Sequence, residues 1–419
     1  DLAPLRTFLS DHLQTQVLPF WKQHGIDWDR GGVQSFLRDD GSLVDSDKSV
    51  LSNVRALWTF SALGRRGDRD SQFWGDAAEN TFSFLKRYGQ AEDGMWNFLL
   101  ADDGGLIIEP RSIITSAFAI YGLVQYYRLS GDDRAIEHAL RTYEACQKRL
   151  EKPGSYPTML YPTPAGMRAH RESMQFSLML YELASATGES GILKQALSHS
   201  DLVLDLFYRE ELGTVLEYVG REGPDLSNPV GRTVVPGHAV ESLWFQIYLR
   251  SSAEVGDRDG ARRAAAALRR PLKLGWDEEY GGIFLGMDVQ GKSPVHWKMP
   301  ETKRWWSHCE AICGTLLAYE QLREGWCLDW YRRVHNWSFD HFPDNQHGEW
   351  YQNLDRQGNP YTLDGKASSD LDVSKLARLT GAGEEWILYD FRVKDPFHLP
   401  RALLVAIDTI DRITGTSKS

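Results

Sequence analysis

Trp276-Asp277-Glu278-Glu279-Tyr280-Gly281-Gly282-Ile283-Phe284-Leu285-Gly286-Met287 is the stretch on which the fold turns. The Gly-Gly pair marks a tight turn, because glycine alone enters the left-handed backbone region without steric cost. The alternating residues after it form one arm of a short hairpin. Nearly the same residues stand at Trp28-Asp29-Arg30-Gly31-Gly32, followed by Val33-Gln34-Ser35-Phe36-Leu37. Weaker copies begin at Asp93-Gly94, Leu212-Gly213 and His347-Gly348, and a double gap leaves room for a degenerate copy around Pro153-Gly154. After each turn comes a gap, then an apolar helix with polar residues at its mouth. A period of about 60–70 residues is too long for a solenoid of helix pairs and fits two long helices plus a decorated loop.

Working outward, apolar residues recur at i, i+3 and i+4 in Leu51 to Leu63, Ile114 to Leu129, Met174 to Thr187, His238 to Ser251, His308 to Leu322 and Pro400 to Ile413. Second helices are predicted at Trp74 to Tyr88, Asp133 to Arg149, Ile192 to Phe207, Asp257 to Leu268 and Trp326 to Phe342, with Leu5 to Trp21 completing the pairing. Short connections make consecutive helices antiparallel. The expected fold is therefore all-α, an (α/α)6 barrel of six helical hairpins in a ring, with short β-hairpins on one rim. Residues 1–419 are expected to form one domain.

Composition excludes several classes. A net charge of -11 disfavours nucleic acid and anionic membranes as partners. No apolar run reaches the roughly 20 residues of a membrane span. The four cysteines, Cys146, Cys309, Cys313 and Cys327, form no C-x-x-C pair, so a reducing cytoplasm is the expected compartment. Fifteen Trp residues suit a cleft that stacks on sugar rings, since indole offers flat apolar area with a polar handle.

Alignment of the inner-helix mouths brings Arg55, Ser116, Gln175, His238, His308 and His398 into one series about a repeat apart, with a longer last gap. Histidine takes and returns a proton near neutral pH without a metal. Glu241 follows His238 by three residues, Glu310 follows His308 by two, and Arg401 follows His398 by three. Carboxylates beside a histidine fix its tautomer and raise its basicity. Trp305 and Trp306 precede His308 and offer faces to a pyranose. Metal chemistry through His238, Glu241, His308 and His398 is the sharp alternative, but no H-E-x-x-H spacing occurs and no metal is expected. No phosphate loop, dinucleotide fingerprint or nucleophile elbow is present.

These motifs resemble the N-acylglucosamine 2-epimerase superfamily, which includes cellobiose 2-epimerases and aldose–ketose isomerases. The resemblance spans nearly the whole chain. It rests on Gly31-Gly32, Ser46-Asp47-Lys48 with Arg55, Glu172-Ser173-Met174, Gly231-Arg232, Pro236-Gly237-His238 with Glu241, Trp305-Trp306-Ser307-His308-Cys309-Glu310, Gly348-Glu349-Trp350 and Phe397-His398-Leu399-Pro400-Arg401. Ala117-Phe118-Ala119-Ile120-Tyr121-Gly122-Leu123 is closer to the cellobiose branch. The resemblance implies an isomerase that interconverts gluco- and manno-configured reducing sugars, N-acylglucosamine and N-acylmannosamine foremost. The C2 proton leaves and returns through an enediolate. Carried over by position, His238 and His398 are the acid–base pair and Arg55 stabilises the oxyanion. Glu241, His308, Glu310, Trp305, Trp306, Gln175 and Arg401 hold the sugar or the histidines. Cellobiose or mannose epimerisation and aldose–ketose isomerisation are the alternatives. A more remote one is an (α/α)6 glycoside hydrolase using Asp93, Asp102 or Glu349. The family's Gly-rich loop before the last histidine, linked to nucleotide activation, is replaced by Arg392-Val393-Lys394-Asp395-Pro396. No cofactor is expected, and no ATP activation. A small sugar is the expected partner, with a homodimer as the expected assembly. The segment Gly365 to Asp390 has no counterpart in the family pattern and is expected to shape the substrate pocket.

Overall fold

A computed structural model describes residues 2–152, 155–363, 366–367 and 392–416. Pro153-Gly154 and all of 365–390 except the short strand Lys366–Ala367 lie outside the described residues. Twelve helical rods occur among those described. They are α1 (3–25), α2 (Val50–Gly64), α3 (Ser71–Tyr88), α4 (Ile113–Ser130), α5 (Asp133–Leu150), α6 (His170–Thr187), α7 (190–207), α8 (Pro236–Ser251), α9 (258–275), α10 (Trp305–Leu322), α11 (Gly325–His341) and α12 (His398–Thr414). Even-numbered rods form the inner ring, each packing on its neighbours in the order α2, α4, α6, α8, α10, α12. The odd-numbered rods lie outside, α1 against α12 and each of the others against the inner rod before it. The architecture is an (α/α)6 barrel.

Sequence explains the two layers. Inner rods are apolar almost all round, and α4 buries thirteen of its residues. Outer rods bury one stripe, as α5 does with Ala135, Ala139, Thr142 and Cys146. Two rods run longer than expected. In α1, Pro19 lacks an N–H and would crowd the preceding turn, and the helix widens there: the Leu18 N–H bonds to Leu13 O, five residues back. In α9, Pro271 sits in the first turn of a second segment, Arg269–Gly275, where its N–H would have no helical partner anyway. No helix among the described residues is long and apolar enough to cross a membrane.

The repeated turn ties the rim to the helices. Asp27 and Asp277 each accept backbone N–H groups of their own turn. Each also takes a buried lysine, Lys48 at 2.7 Å and Lys303 at 3.1 Å. Gly281 and Gly282 have φ of 74° and 75°. A Cβ on Gly281 would come within 2.4 Å of Trp337, so only glycine lets α11 pack beneath the turn. Residues just before each inner helix then pair with the loop of the next repeat: 48–49 with 99–100, 112 with 158, 167–169 with 218–220, 233–234 with 287–288, and 303–304 with 353–354. The Lys394 N–H donates to Ser35 O at 2.9 Å and joins the sixth repeat to the first.

Candidate active site

The rim encloses a cavity at the N-terminal mouths of the inner helices. Arg55, Gln175, His238, Glu241, Trp305, Trp306 and His398 all line it. They stand at different heights. His398 is the first residue of α12 and His238 the third of α8, whereas Arg55, Gln175 and Glu241 are each the sixth of their helices. The histidines therefore sit at the lip and the other three one turn deeper.

Each histidine is backed by a buried carboxylate. His398 Nδ1 lies 2.7 Å from Glu310 Oε1, and His238 Nδ1 lies 3.1 Å from Glu217 Oε2. A carboxylate accepts, so in each ring Nδ1 carries the proton and Nε2 is left to exchange protons with a substrate. Trp306 stands between them, with ring centroids 5.0 Å from His238 and 6.0 Å from His398. Trp305 meets His398 edge-on at 5.8 Å. Arg55 donates to Asp395 at 3.0 Å and lies 4.2 Å over the Phe118 ring.

Beneath His398 lies a fully buried polar floor. Arg401 Nη2 donates to Glu241 at 2.9 Å and to Glu310 at 2.6 Å, and the Trp244 indole donates to Glu310 at 2.7 Å. Burial raises the Glu310 carboxyl above its usual range, and Arg401 opposes that. Burial, then Arg55 and Arg401, push His398 well below the usual histidine range. Glu217 goes the other way: burial would raise it, but His238, His170 and Arg171 hold it far below the carboxylate range. Glu241, Glu310 and His398 could be taken for a cation site, since their ligand atoms cluster within 4.8 Å. The guanidinium of Arg401 already bridges the two carboxylates.

His308 is not brought to the cavity, and the expectation that it touches substrate does not fit its position. Its Nε2 accepts from the Ile283 N–H at 2.9 Å and its Nδ1 donates to Arg304 O at 2.8 Å. The ring stacks on Trp337 at 4.9 Å. It is the fourth residue of α10, and the fourth residues of α2 and α4 do the same work. Asn53 accepts from the Val33 N–H at 2.8 Å and Ser116 from the Trp96 N–H at 3.2 Å. His308 thus staples a rim loop. Asp93, Asp102 and Glu349, the carboxylates of the glycosidase alternative, also lie off the cavity. Asp93 pairs with Arg149 at the surface, the Asp102 carbonyl accepts from Lys48, and Glu349 faces Lys394 at 3.6 Å.

With this geometry in place, known proteins give a consistent answer. The N-acylglucosamine 2-epimerase (GlcNAc 2-epimerase) family profile matches residues 31–371. The chain belongs to this family. It is 30% identical over 357 residues to the N-acylglucosamine 2-epimerase of Bos taurus, covering 82% of each chain. The solved cellobiose 2-epimerase of Spirochaeta thermophila superposes with a TM-score of 0.76 at 21% identity, covering 99% of both chains. A D-mannose isomerase structure superposes at 0.74 with 19% identity, covering 96% of this chain and 98% of that one. Epimerases and isomerases are thus the enzymes this chain is related to.

Three residues that line this epimerase-family cavity or back its histidines carry no mark in the sequence pattern. Glu217 sits in the loop after the Leu212-Gly213 turn, four residues past Gly213. Arg171, the second residue of α6, donates to Glu217 at 3.2 Å. Asp395 lies in the loop just before α12. Each acts on a partner far away in sequence, which no local spacing reveals.

Proposed function

We propose that this protein is a sugar 2-epimerase that interconverts N-acylglucosamine and N-acylmannosamine by proton transfer alone. The observation that carries the proposal is the pair of carboxylate-backed histidines lining one cavity with Trp306 between them. In the open-chain aldose, one histidine Nε2 takes the C2 proton. The C–H electron pair forms the C1=C2 bond, and the carbonyl pair moves to O1. Arg55 answers the charge on that oxygen. The other histidine, as imidazolium, returns a proton to the opposite face of C2. The product is an isomer, and the two histidines have exchanged protonation states. His398, held neutral by burial and by two guanidiniums, is the natural first base in one direction. In the reverse direction the roles reverse. Atoms and electrons balance without a redox cofactor.

The relative at 30% identity is an N-acylglucosamine 2-epimerase, while those named for plain sugars stand at 21% and 19%, which favours the 2-acylamino sugars. Incubation in deuterated water with N-acetylglucosamine, N-acetylmannosamine, glucose, mannose and cellobiose, followed by NMR, tests this. Deuterium entering C2 with inversion of the N-acyl pair is the expected result. A ketose as the main product would establish aldose–ketose isomerisation instead, with the same enediolate and the proton returned to C1.

A further inference from the structure

The cavity has a boundary that plays no part in proton transfer. Tyr161 and Trp297 both line it, and their rings stack at 4.7 Å with planes 8° apart. They come from different repeats, Tyr161 from the loop before α6 and Trp297 from the loop before α10. Between those repeats stands α8, with His238 at its mouth. Trp297 meets His238 edge-on, with centroids 6.4 Å apart and planes at 89°. The stack therefore lines the cavity beside His238.

The loops that carry both rings are anchored. The Tyr161 carbonyl accepts from Arg171 Nη2. Its loop is closed by Thr158 Oγ1, which accepts from the Thr163 N–H at 3.0 Å, and Thr163 Oγ1 donates to Glu172 at 3.0 Å. Trp297 packs against Gly286, where a Cβ would come within 2.8 Å of the Trp297 Cβ and Cγ. The Gly286 N–H donates to Pro300 O at 3.0 Å and ties down the same loop. Two anchored loops that meet through a ring stack form a fixed cover, unlike a single side chain that swings on its χ angles.

We propose that the Tyr161–Trp297 stack confines this site to single reducing sugars, plain or 2-acylamino, and excludes sugars that carry a further glycosyl unit. The inference rests on the epimerase function above and narrows its substrate class. C2 must come within hydrogen-bond reach of His238 Nε2, beside the Trp297 edge. One sugar fits under that cover, flanked by indole faces. On this proposal a second ring would displace the contact between Tyr161 and Trp297.

The test is kcat/KM for C2 inversion with N-acetylglucosamine and glucose and with the β-1,4-linked dimer of each. Wild type, Trp297→Ala, Trp297→Phe and Gly286→Ala are compared. Wild type should favour the single sugars by about 100-fold or more. Trp297→Ala should raise the dimer-to-monomer ratio at least about tenfold, and Trp297→Phe, which keeps a flat ring, should leave it near the wild-type value. Gly286→Ala covers a failure of Trp297→Ala to fold, because it displaces the indole without removing it, and it should raise the ratio too. Equal turnover of dimers and single sugars by wild type, or an unchanged ratio in folded Trp297→Ala, overturns the proposal. If wild type exchanges C2 hydrogen on no sugar, the epimerase function fails instead. Calorimetry then decides the cover separately: tighter binding of the single sugar upholds it, and equal binding overturns it.

Discussion

The His398 Nδ1–H donates a hydrogen bond to Glu310 at 2.7 Å, and the His238 Nδ1–H to Glu217 at 3.1 Å, yet the two carboxylates are held in opposite ways. Glu310 is buried with Arg401, takes the Trp244 indole N–H as well, and is raised above its ordinary range. Glu217 is shared by His238, His170 and Arg171 and is held far below that range. The rings differ likewise. His398 is 6% exposed and flanked by two guanidiniums, while His238 is 16% exposed and faces the cavity beside Trp297. One dyad geometry thus stands in two electrostatic settings, with a nearly buried ring at His398 and a more open one at His238.

Removal of either ring is the strongest way to break this comparison. His238→Ala and His398→Ala should each lower epimerisation by about 10³-fold or more, since general acid–base catalysis contributes about 10²–10⁴-fold at each step. The two variants should also differ in a way that structural damage would not produce. Each retains one base, so each should still exchange the C2 hydrogen of one epimer with solvent deuterium, without inversion. His238→Ala should act on one epimer and His398→Ala on the other. Exchange of the same epimer by both variants would show that the histidines do not address opposite faces.

Neutralising the carboxylates should sharpen the comparison with smaller effects. Glu310→Gln keeps an oxygen for His398 Nδ1 but removes the charge between His398 and Arg401. It leaves the buried guanidinium with Glu241 alone. A buried charge deprived of a partner is costly. We expect kcat to fall about 10²-fold or more, with a lowered Tm. In Glu217→Gln, Arg171 still has the Tyr218 hydroxyl and the Tyr161 carbonyl, so Tm should fall less and kcat about tenfold. Equal losses of kcat and Tm in the two variants would erase the distinction between the pairs.

The helix pairs and the repeated turn were legible because both are periodic patterns that the chain writes locally. The site was legible in part. Inner-helix mouths could be found, but the height of a residue within the first two turns could not. Each residue turns the side chain by about 100°, so a shift of one or two positions decides between cavity and wall. His238, third in α8, reaches the cavity, and His308, fourth in α10, goes to the hairpin. Glu217, Arg171 and Asp395 escaped because their partners are set by the pairing of one repeat's rim with the next. A carboxylate in a loop carries no periodic signal.

His308 supplies the weakest and cleanest test, because it is a histidine in the same wall with a different task. Its equivalents in other repeats are Asn53 and Ser116, so asparagine is a staple the fold already uses. Burial pushes His308 down to about 3. The unfolded imidazole takes a proton near pH 6.5 and the folded one only near 3. Across that window the unfolded state binds the extra proton, so stability present above pH 6.5 is lost as the pH falls toward 3. His308→Asn, with Oδ1 accepting from the Ile283 N–H, should leave kcat within about threefold of wild type. It should also flatten the decline of Tm between pH 6.5 and 4, which calorimetry across that range would measure. The flattening will be partial, because His12, His199 and His335 are also pushed down, each to about 4. A loss of kcat on the scale of His398→Ala, with Tm unchanged, would return His308 to the substrate and undo the division between the histidines that move protons and the one that holds the rim.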